Sequence, residues 1–227
     1  LSHQAVKRTG CRVTSLTLSV EQKREADERI RAAGLADRIE ILLCDYRSLP
    51  TPAQPYDAVV AVEMIEAVGY EFLPTFFAHC HRLLHPQHGV LVLQAITVAE
   101  PRYAAYLQNV DYIQRYVFPG SHCPSFSALM SAALDGGQAQ LVLDRAENRA
   151  RDYARTLKEW RLRFTASFDA MLASCPPSEA KRYDERFRRC WLWYLAYCEA
   201  GYATRTIGNM QLRFTRSANT RLLTENL

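Results

Sequence analysis

The sequence predicts an α/β fold, with a mostly parallel sheet that carries helices on both faces. Apolar segments at 39–44, 58–62 and 90–96 are typical of buried strands, and a helical pattern lies between the last two. A β-rich segment at 11–18 precedes them and is followed by a charged helical pattern. Strands that alternate with helices indicate βαβ units with right-handed crossovers.

The first half of the chain contains signals for where its helices begin and end. Ser19 is a predicted N-cap, and Gln22 completes a capping box three residues later. Gly34 is expected to end this helix, because glycine readily adopts the left-handed conformation found at helix C-termini. A second amphipathic helix is predicted over 71–84.

The second half has a different pattern. Residues 100–135 are aromatic and loop-rich, and a short strand is predicted at 141–143. Long helical patterns follow at about 152–173 and 178–200, and 206–215 is a predicted closing strand. The aromatic stripes on the long helices favour a packed core, and a pocket for a long apolar or cationic ligand is the alternative.

Length and composition exclude several classes of protein. The 227 residues suit one domain, and the net charge of +4 comes without a long basic tract typical of nucleic-acid binding. No apolar run reaches the ~18 residues of a membrane helix, and no signal-peptide pattern is seen. Seven cysteines without a C-x-x-C pair indicate reduced thiols in a cytoplasmic protein. His81 and His85 share a helix face without a convincing third ligand, so no metal site is predicted.

The most informative segment is a pair of carboxylates after the strand at 58–62. Glu63 and Glu66 stand where that strand should end. Ligands of open α/β sheets bind beyond the carboxyl ends of the strands, so the pair is a candidate for chemistry. The alternative is a solvated turn before a helix, since acidic residues favour helix N-termini.

Four motifs occur in order along the chain. They are Glu63-Met64-Ile65-Glu66-Ala67-Val68-Gly69, Phe118-Pro119-Gly120 with Pro124-Ser125, Tyr153-Ala154-Arg155-Thr156-Leu157 with Trp160, and Tyr194-Leu195 with Cys198-Glu199-Ala200-Gly201-Tyr202. Together, from about Gly10 to Phe214, they resemble the cyclopropane-fatty-acyl-phospholipid synthase family of S-adenosylmethionine-dependent methyltransferases. The resemblance implies one Rossmann-like methyltransferase domain over 1–227, with helical and aromatic segments at about 100–135 and 152–200 that cover the substrate.

The resemblance also implies a reaction and its components. The enzyme would transfer a methylene group from S-adenosylmethionine to the cis double bond of an unsaturated phospholipid acyl chain, which forms a cyclopropane ring. In this family a bound bicarbonate ion acts as the base. The implied partners are the phospholipid and, transiently, a membrane surface, without nucleic acid. The protein is expected to be cytoplasmic and peripheral to the membrane.

Site residues are implied by the same motifs. The implied catalytic residues are Glu66 as the bicarbonate contact, Tyr153 through its hydroxyl, Ile96 through its backbone, and Gln94, which stands where bacterial members usually carry histidine. The implied cofactor contacts are Thr17, Leu18, Ser19 and Gln22 around the adenosine and ribose, and Asp45 and Tyr46 around the adenine. Glu63 is expected to be structural or to support the site indirectly.

The chain departs from the family pattern at its start. The Gly-rich cofactor loop and the strand before it would precede Leu1, so we expect a sheet without its first strand. We also expect this stretch alone to bind the cofactor weakly or not at all, because glycine lets the backbone approach the ligand closely. Two alternatives to cyclopropane formation stay open: C-methylation of a sphingolipid or another lipid, and a non-catalytic remnant.

Overall fold

Two sheets, each with its own helices, make up the protein in this computed structural model, which describes residues 1–222. An N-terminal unit comprises Leu1–Ala53, and a C-terminal unit comprises Gln54–Leu227. Residues 223–227 of the predicted domain lie outside the described part.

The helices are Ser2–Thr9 (α1), Val20–Ala32 (α2), Leu73–Leu83 (α3), Glu100–Leu107 (α4), Tyr112–Tyr116 (α5), Phe126–Gly136 (α6), Ala150–Ser174 (α7), Pro177–Ala180 (α8) and Glu185–Ala203 (α9). The strands are Val13–Thr17 (β1), Ile39–Leu43 (β2), Ala58–Val62 (β3), Val90–Val98 (β4), Leu141–Asn148 (β5) and Ile207–Arg216 (β6). Within residues 1–222, no helix is both long enough and apolar enough to cross a membrane.

In the N-terminal unit, β1 and β2 pair in parallel, with Thr17 opposite Leu43. A small core packs the two helices against these strands and consists of Val6, Ile30 and Ile39. The predicted N-cap is confirmed, because Ser19 Oγ accepts from the Gln22 amide at 3.1 Å. The Ser19 amide donates instead to Thr17 Oγ1, at 3.2 Å, so the second bond of the predicted capping box goes to a different residue.

The C-terminal unit contains a four-stranded sheet in the order β3-β4-β6-β5. Strands β3 and β4 are parallel, whereas β6 runs antiparallel to both β4 and β5. The expectation of a mostly parallel sheet is therefore wrong for this unit. Side chains alternate with a period of two in either strand direction, so the pattern at 206–215 predicted a strand correctly but carried no information on its direction.

Helices lie on both faces of this sheet. Alternate residues of β4 point to opposite faces, and Leu91, Leu93 and Ala95 are all fully buried. On that face Phe214 of β6, which is paired with Leu91, meets Phe77 of α3 with ring centroids 5.7 Å apart. Ile96 points to the other face and packs on a cluster built mainly from α7 and α9.

The segment 100–135 is helical rather than loop-rich, because α4, α5 and α6 lie within it. α4 and α5 are too short for a clear periodic pattern, and local caps stabilise α5 and α6. Asp111 and Gln114 form a capping box at α5, and Ser125 Oγ accepts from the Ala128 amide at α6. The helix expected over 178–200 begins at Glu185, where Asp184 serves as the N-cap.

Candidate active site

The candidate site is built where β3 ends beside the middle of its parallel neighbour β4. Val62, the last residue of β3, pairs with Gln94. Glu63 follows with a φ of 49°, and its amide donates to the Gln94 carbonyl oxygen at 2.8 Å. The left-handed conformation costs a non-glycine residue about 1 kcal/mol. Surrounding contacts must therefore hold Glu63 in place, as is common at functional sites.

One oxygen of the Glu63 carboxylate accepts three side-chain hydrogen bonds. Gln94 Nε2 donates to Glu63 Oε1 at 2.9 Å, and Asn209 Nδ2 donates at 2.8 Å. The Tyr153 hydroxyl donates to the same oxygen. These donors belong to β4, β6 and α7, so the carboxylate joins three elements that are distant in sequence.

Gln94 is fixed in a single orientation by its neighbours. Its Oε1 accepts from Gln211 Nε2 at 2.8 Å, so its NH₂ group must face the other way. The two N–H groups donate to Glu63 Oε1 and to the Tyr153 hydroxyl oxygen, each at 2.9 Å. Gln94 thus acts as a double donor that does not titrate, and one histidine ring could not make all of these bonds.

Glu66 occupies a different environment. Its Oε1 accepts from the Ile96 amide at 2.6 Å, whereas Oε2 is buried and has no hydrogen-bond partner among residues 1–222. Burial raises the pKa of the Glu66 carboxyl, the hydrogen bond from Ile96 opposes this rise, and the charge of Glu63 adds to it. The Glu66 carbonyl oxygen accepts from the His122 amide at 2.8 Å, which ties this turn to the segment before α6.

Tyrosine rings and a half-buried thiol belong to the cluster that includes Tyr153. The Tyr153 and Tyr202 rings pack with centroids 5.1 Å apart, in a cluster that includes Leu157 and Leu195. Burial raises the pKa of both tyrosine hydroxyls. Burial also raises the pKa of the Cys198 thiol to about 12, so this cysteine is protonated near neutral pH and is a poor nucleophile.

The structure brings together the residues predicted for catalysis. Glu66 bonds to the Ile96 amide, and Gln94 bonds to Tyr153. Glu63, expected to be structural or supporting, bonds directly to two of these predicted residues. It therefore lies closer to the predicted catalytic residues than the sequence suggested.

Two residues on β6 that were not predicted from the sequence also contribute to the site. Asn209 donates to Glu63, and Gln211 orients Gln94. Both lie on the same face of the strand, because they are two residues apart. The sequence signal for them was the presence of two amide side chains at alternate positions of the predicted closing strand.

The residues predicted to contact the cofactor lie in the N-terminal unit, at the carboxyl ends of β1 and β2. The Thr17 carbonyl oxygen accepts from the Cys44 amide at 3.1 Å, which holds these two strand ends together. Thr17 Oγ1 donates to Gln22 Oε1 at 2.8 Å. Gln22 also donates its amide to the N-cap residue Ser19. Leu18 between them is 75% exposed.

Asp45 and Tyr46 lie at the neighbouring strand end. The Asp45 carboxylate accepts from the Arg47 guanidinium through both oxygens, at 3.0 and 2.8 Å. Its Oδ1 also accepts from the Arg47 amide at 2.8 Å, which fixes the carboxylate at the start of the turn that follows β2. Together with the hydroxyl and amide groups of Thr17 and Gln22, these residues fit the adenosine part of S-adenosylmethionine.

Bicarbonate fits the residues of the C-terminal unit poorly. The oxygens of an anion need hydrogen-bond donors, and the predicted donors already bind groups of the protein itself. The Ile96 amide donates to Glu66, both N–H groups of Gln94 are used, and the Tyr153 hydroxyl donates to Glu63. Bicarbonate binding would therefore require these internal hydrogen bonds to break.

Comparison with known proteins identifies the family. The family model described as Mycolic acid cyclopropane synthetase matches residues 1–212. The chain belongs to this family. The resemblance seen in the sequence is therefore confirmed, and the family is one of S-adenosylmethionine-dependent lipid methyltransferases.

Two curated relatives illustrate the range of this mycolic acid cyclopropane synthetase family. A tuberculostearic acid methyltransferase of Mycobacterium tuberculosis is 42% identical over 193 residues, which cover 85% of this chain and 42% of the relative. A cyclopropane-fatty-acyl-phospholipid synthase of Escherichia coli is 31% identical over 217 residues, which cover 95% of this chain and 50% of the relative. The chain thus spans half the length of these relatives or less.

A solved structure of the same family shows the fold. The crystal structure of a mycolic acid cyclopropane synthase complexed with SAH and CTAB has a TM-score of 0.78 and 22% sequence identity. The similarity covers 94% of this chain and 73% of the other. The chain therefore has the α/β fold of this family. In the described part of the chain, no group of three or more His, Cys, Asp or Glu is arranged to hold a metal ion.

Proposed function

We propose that the chain carries out methyl transfer from S-adenosylmethionine to the cis double bond of an unsaturated phospholipid acyl chain, followed by proton loss and closure of a cyclopropane ring. The observation that carries the proposal is the arrangement of Glu63, Glu66, Tyr153 and Gln94 around the end of β3 and the neighbouring part of β4. Family membership supports the reaction class.

Carboxylates and aromatic rings suit this chemistry because the alkylated acyl chain carries a positive charge. Two carboxylates stabilise a nearby cation by Coulomb attraction, which strengthens as water is excluded. The faces of the Tyr153 and Tyr202 rings attract a cation as well. The fixed donors and acceptors around Gln94 keep these groups in position, so little reorganisation is needed during the reaction.

The cofactor contacts belong to the N-terminal unit. When bound, S-adenosylmethionine supplies an electrophilic methyl group on its sulfonium. We propose that Thr17, Ser19 and Gln22 hold its ribose side and that Asp45 and Tyr46 hold its adenine. The polar groups of these residues at adjacent strand ends support the assignment.

The acyl chain requires an apolar cover. We propose that α4–α6 and α7–α9 form it within the single methyltransferase domain expected from the sequence. Exposed aromatic side chains on or next to these helices support this role: Tyr116, Phe118, Trp160, Trp193 and Tyr197. Because the substrate is a membrane lipid, we propose transient contact with a membrane surface.

C-methylation without ring closure is a second candidate. The relative that is 42% identical is named a tuberculostearic acid methyltransferase, which favours a methyl-branched product. Both reactions begin with the same methyl transfer, so the site described above serves either one. The fate of the cation distinguishes them.

A labelled methyl donor tests the proposal. The 227-residue chain is incubated with unsaturated phospholipid vesicles and trideuteromethyl S-adenosylmethionine up to millimolar concentration, and the lipids are analysed by mass spectrometry. Ring closure removes one deuterium and gives an ozone-resistant product. A methyl branch that keeps all its deuterium would favour the second candidate, and no labelled lipid from any unsaturated substrate would reject both.

A further inference from the structure

The groups left unpaired at the site are acceptors rather than donors. Glu66 Oε2 and Asn209 Oδ1 are buried and have no hydrogen-bond partner in the described chain. A buried, unpaired acceptor favours a hydrogen donor or a positive charge. The hydroxyl of bicarbonate could donate to Glu66 Oε2, but its remaining oxygens would find no donor among Ile96, Gln94 and Tyr153, which already donate within the protein. The site is therefore suited to a cation that gives up a proton.

We propose that Glu66 Oε2 itself receives the proton from the newly added methyl group, without a bound bicarbonate ion. This inference rests on the proposed function. The C–H bond of the methyl group breaks, and its electron pair forms the C–C bond to the cationic carbon. The proton forms an O–H bond with Glu66 Oε2, and its later release to solvent restores the carboxylate.

The environment of Glu66 supports this role. Its Oε1 is held by the Ile96 amide at 2.6 Å, which leaves Oε2 as the reactive oxygen. Burial raises the pKa of the carboxyl, and a carboxylate with a raised pKa is a stronger general base near neutral pH.

Glu63 serves as a positioning residue in this scheme. Its Oε1 is occupied by the donors from Gln94, Asn209 and Tyr153. It therefore fixes the orientation of the Tyr153 hydroxyl and of the Gln94 amide. The two carboxylates have separate tasks because Glu63 accepts three side-chain hydrogen bonds through one oxygen, whereas Glu66 keeps a buried oxygen without a partner in the described chain.

Binding of ¹³C-labelled bicarbonate, measured by NMR on the 227-residue chain, tests the absence of this ion. We expect no saturable binding that depends on Glu66. Saturable binding that is lost in Glu66→Gln but kept in Glu71→Gln, a matched change at an exposed glutamate nearby, would overturn the proposal. If bicarbonate binds equally to the wild type and to Glu66→Gln, it binds away from Glu66, and this result supports the proposal.

A second measurement follows the Glu66 carboxyl directly. In protein labelled with ¹³C at glutamate carboxyls, the resonance missing from Glu66→Gln should titrate above the ordinary value of 4.5. The titratable groups that influence Glu66 are Glu63, Cys123 and Tyr153. Burial raises the pKa of the Cys123 thiol to about 12 and also raises that of the Tyr153 hydroxyl, so neither titrates in the acidic range. A midpoint at or below the ordinary value would overturn the proposal.

Turnover gives the third measurement and separates this inference from the proposed function. Adding bicarbonate to carbonate-free buffer should change the rate by less than about twofold, and Glu66→Asp should keep part of the activity with a displaced pH profile. Stimulation of about tenfold or more by bicarbonate would overturn the inference. If no lipid is alkylated at all, the proposed function fails, while the two NMR measurements still decide whether Glu66 or bicarbonate accepts a proton at this site.

Discussion

Gly136 provides a test in which the sequence and the tertiary structure predict opposite signs. It is the last residue of α6 and is buried against α3. Helix propensity alone predicts that Gly136→Ala stabilises the protein, by about 1 kcal/mol in a helix interior and by less at a helix end. The structure predicts destabilisation, because a Cβ at this position would lie 2.1 Å from the Pro74 carbonyl oxygen and 2.9 Å from the Ala78 amide nitrogen.

The magnitude follows from this contact. Favourable contacts between non-bonded heavy atoms lie near 3.5 Å, so α3 and α6 would have to separate by about 1.4 Å. The obstructing atoms are backbone and cannot rotate away. Overpacking of this kind typically costs about 1–3 kcal/mol. We therefore expect a net loss of about 1–2 kcal/mol in the free energy of unfolding, measured by urea denaturation.

Gly201→Ala is the matched control. Gly201 lies inside α9, and its added Cβ would meet only side-chain atoms of Ile207, at 3.1 Å. Because a side chain can shift by a few tenths of an ångström, this variant should stay within about 1 kcal/mol of the wild type. A Gly136→Ala protein at least as stable as the wild type would refute the reasoning on helix packing.

Four further predictions concern the candidate site. Tyr153→Phe should lower kcat by about 100-fold, because Glu63 loses a hydrogen-bond donor and Gln94 loses a hydrogen-bond acceptor. Initial-rate measurements test this prediction, and an unchanged kcat would contradict it. Gln94→His should lower the free energy of unfolding by about 1 kcal/mol, because an imidazole ring cannot replace all the hydrogen bonds of the Gln94 amide. An unchanged urea midpoint would contradict this prediction. Burial raises the pKa of the Glu66 carboxyl, so the folded protein binds the Glu66 proton more tightly than the unfolded chain does. The free energy of unfolding should therefore fall as the pH rises from 4.5 through the raised pKa. Glu66→Gln should remove this pH dependence from a series of urea midpoints, and identical slopes in both proteins would contradict the prediction. Asp45→Ala should weaken S-adenosylhomocysteine binding by about tenfold in calorimetry, the loss expected for one good hydrogen bond, whereas equal affinities would reject the adenine assignment.

The sequence supported much of the candidate site through local signals. Glu66 could be assigned because it lies within a motif directly after an apolar strand. Tyr153 and Gln94 were assigned from their positions in segments that resemble those of the family. The link between them depends on β4 and α7 meeting in space, and no local pattern encodes that meeting.

The contribution of Glu63 could not be predicted for the same reason. Its hydrogen bonds come from Gln94, Tyr153 and Asn209, which are 31, 90 and 146 residues away in sequence. The left-handed φ of Glu63 could not be predicted from residue propensities either, because local sterics disfavour this conformation in glutamate. Only the contacts of the assembled site hold it.

The sequence by itself determined the family, the α/β class, most strand and helix positions, and the residue types available for chemistry. These properties depend on periodicity and short motifs, which are local. The tertiary structure alone decided the antiparallel direction of β6, the close approach of α3 and α6 at Gly136, and the distribution of donors between Glu63 and Glu66. Each of these depends on which distant elements meet, because hydrogen bonds and van der Waals contacts act over a few ångströms in space, whatever the separation along the chain.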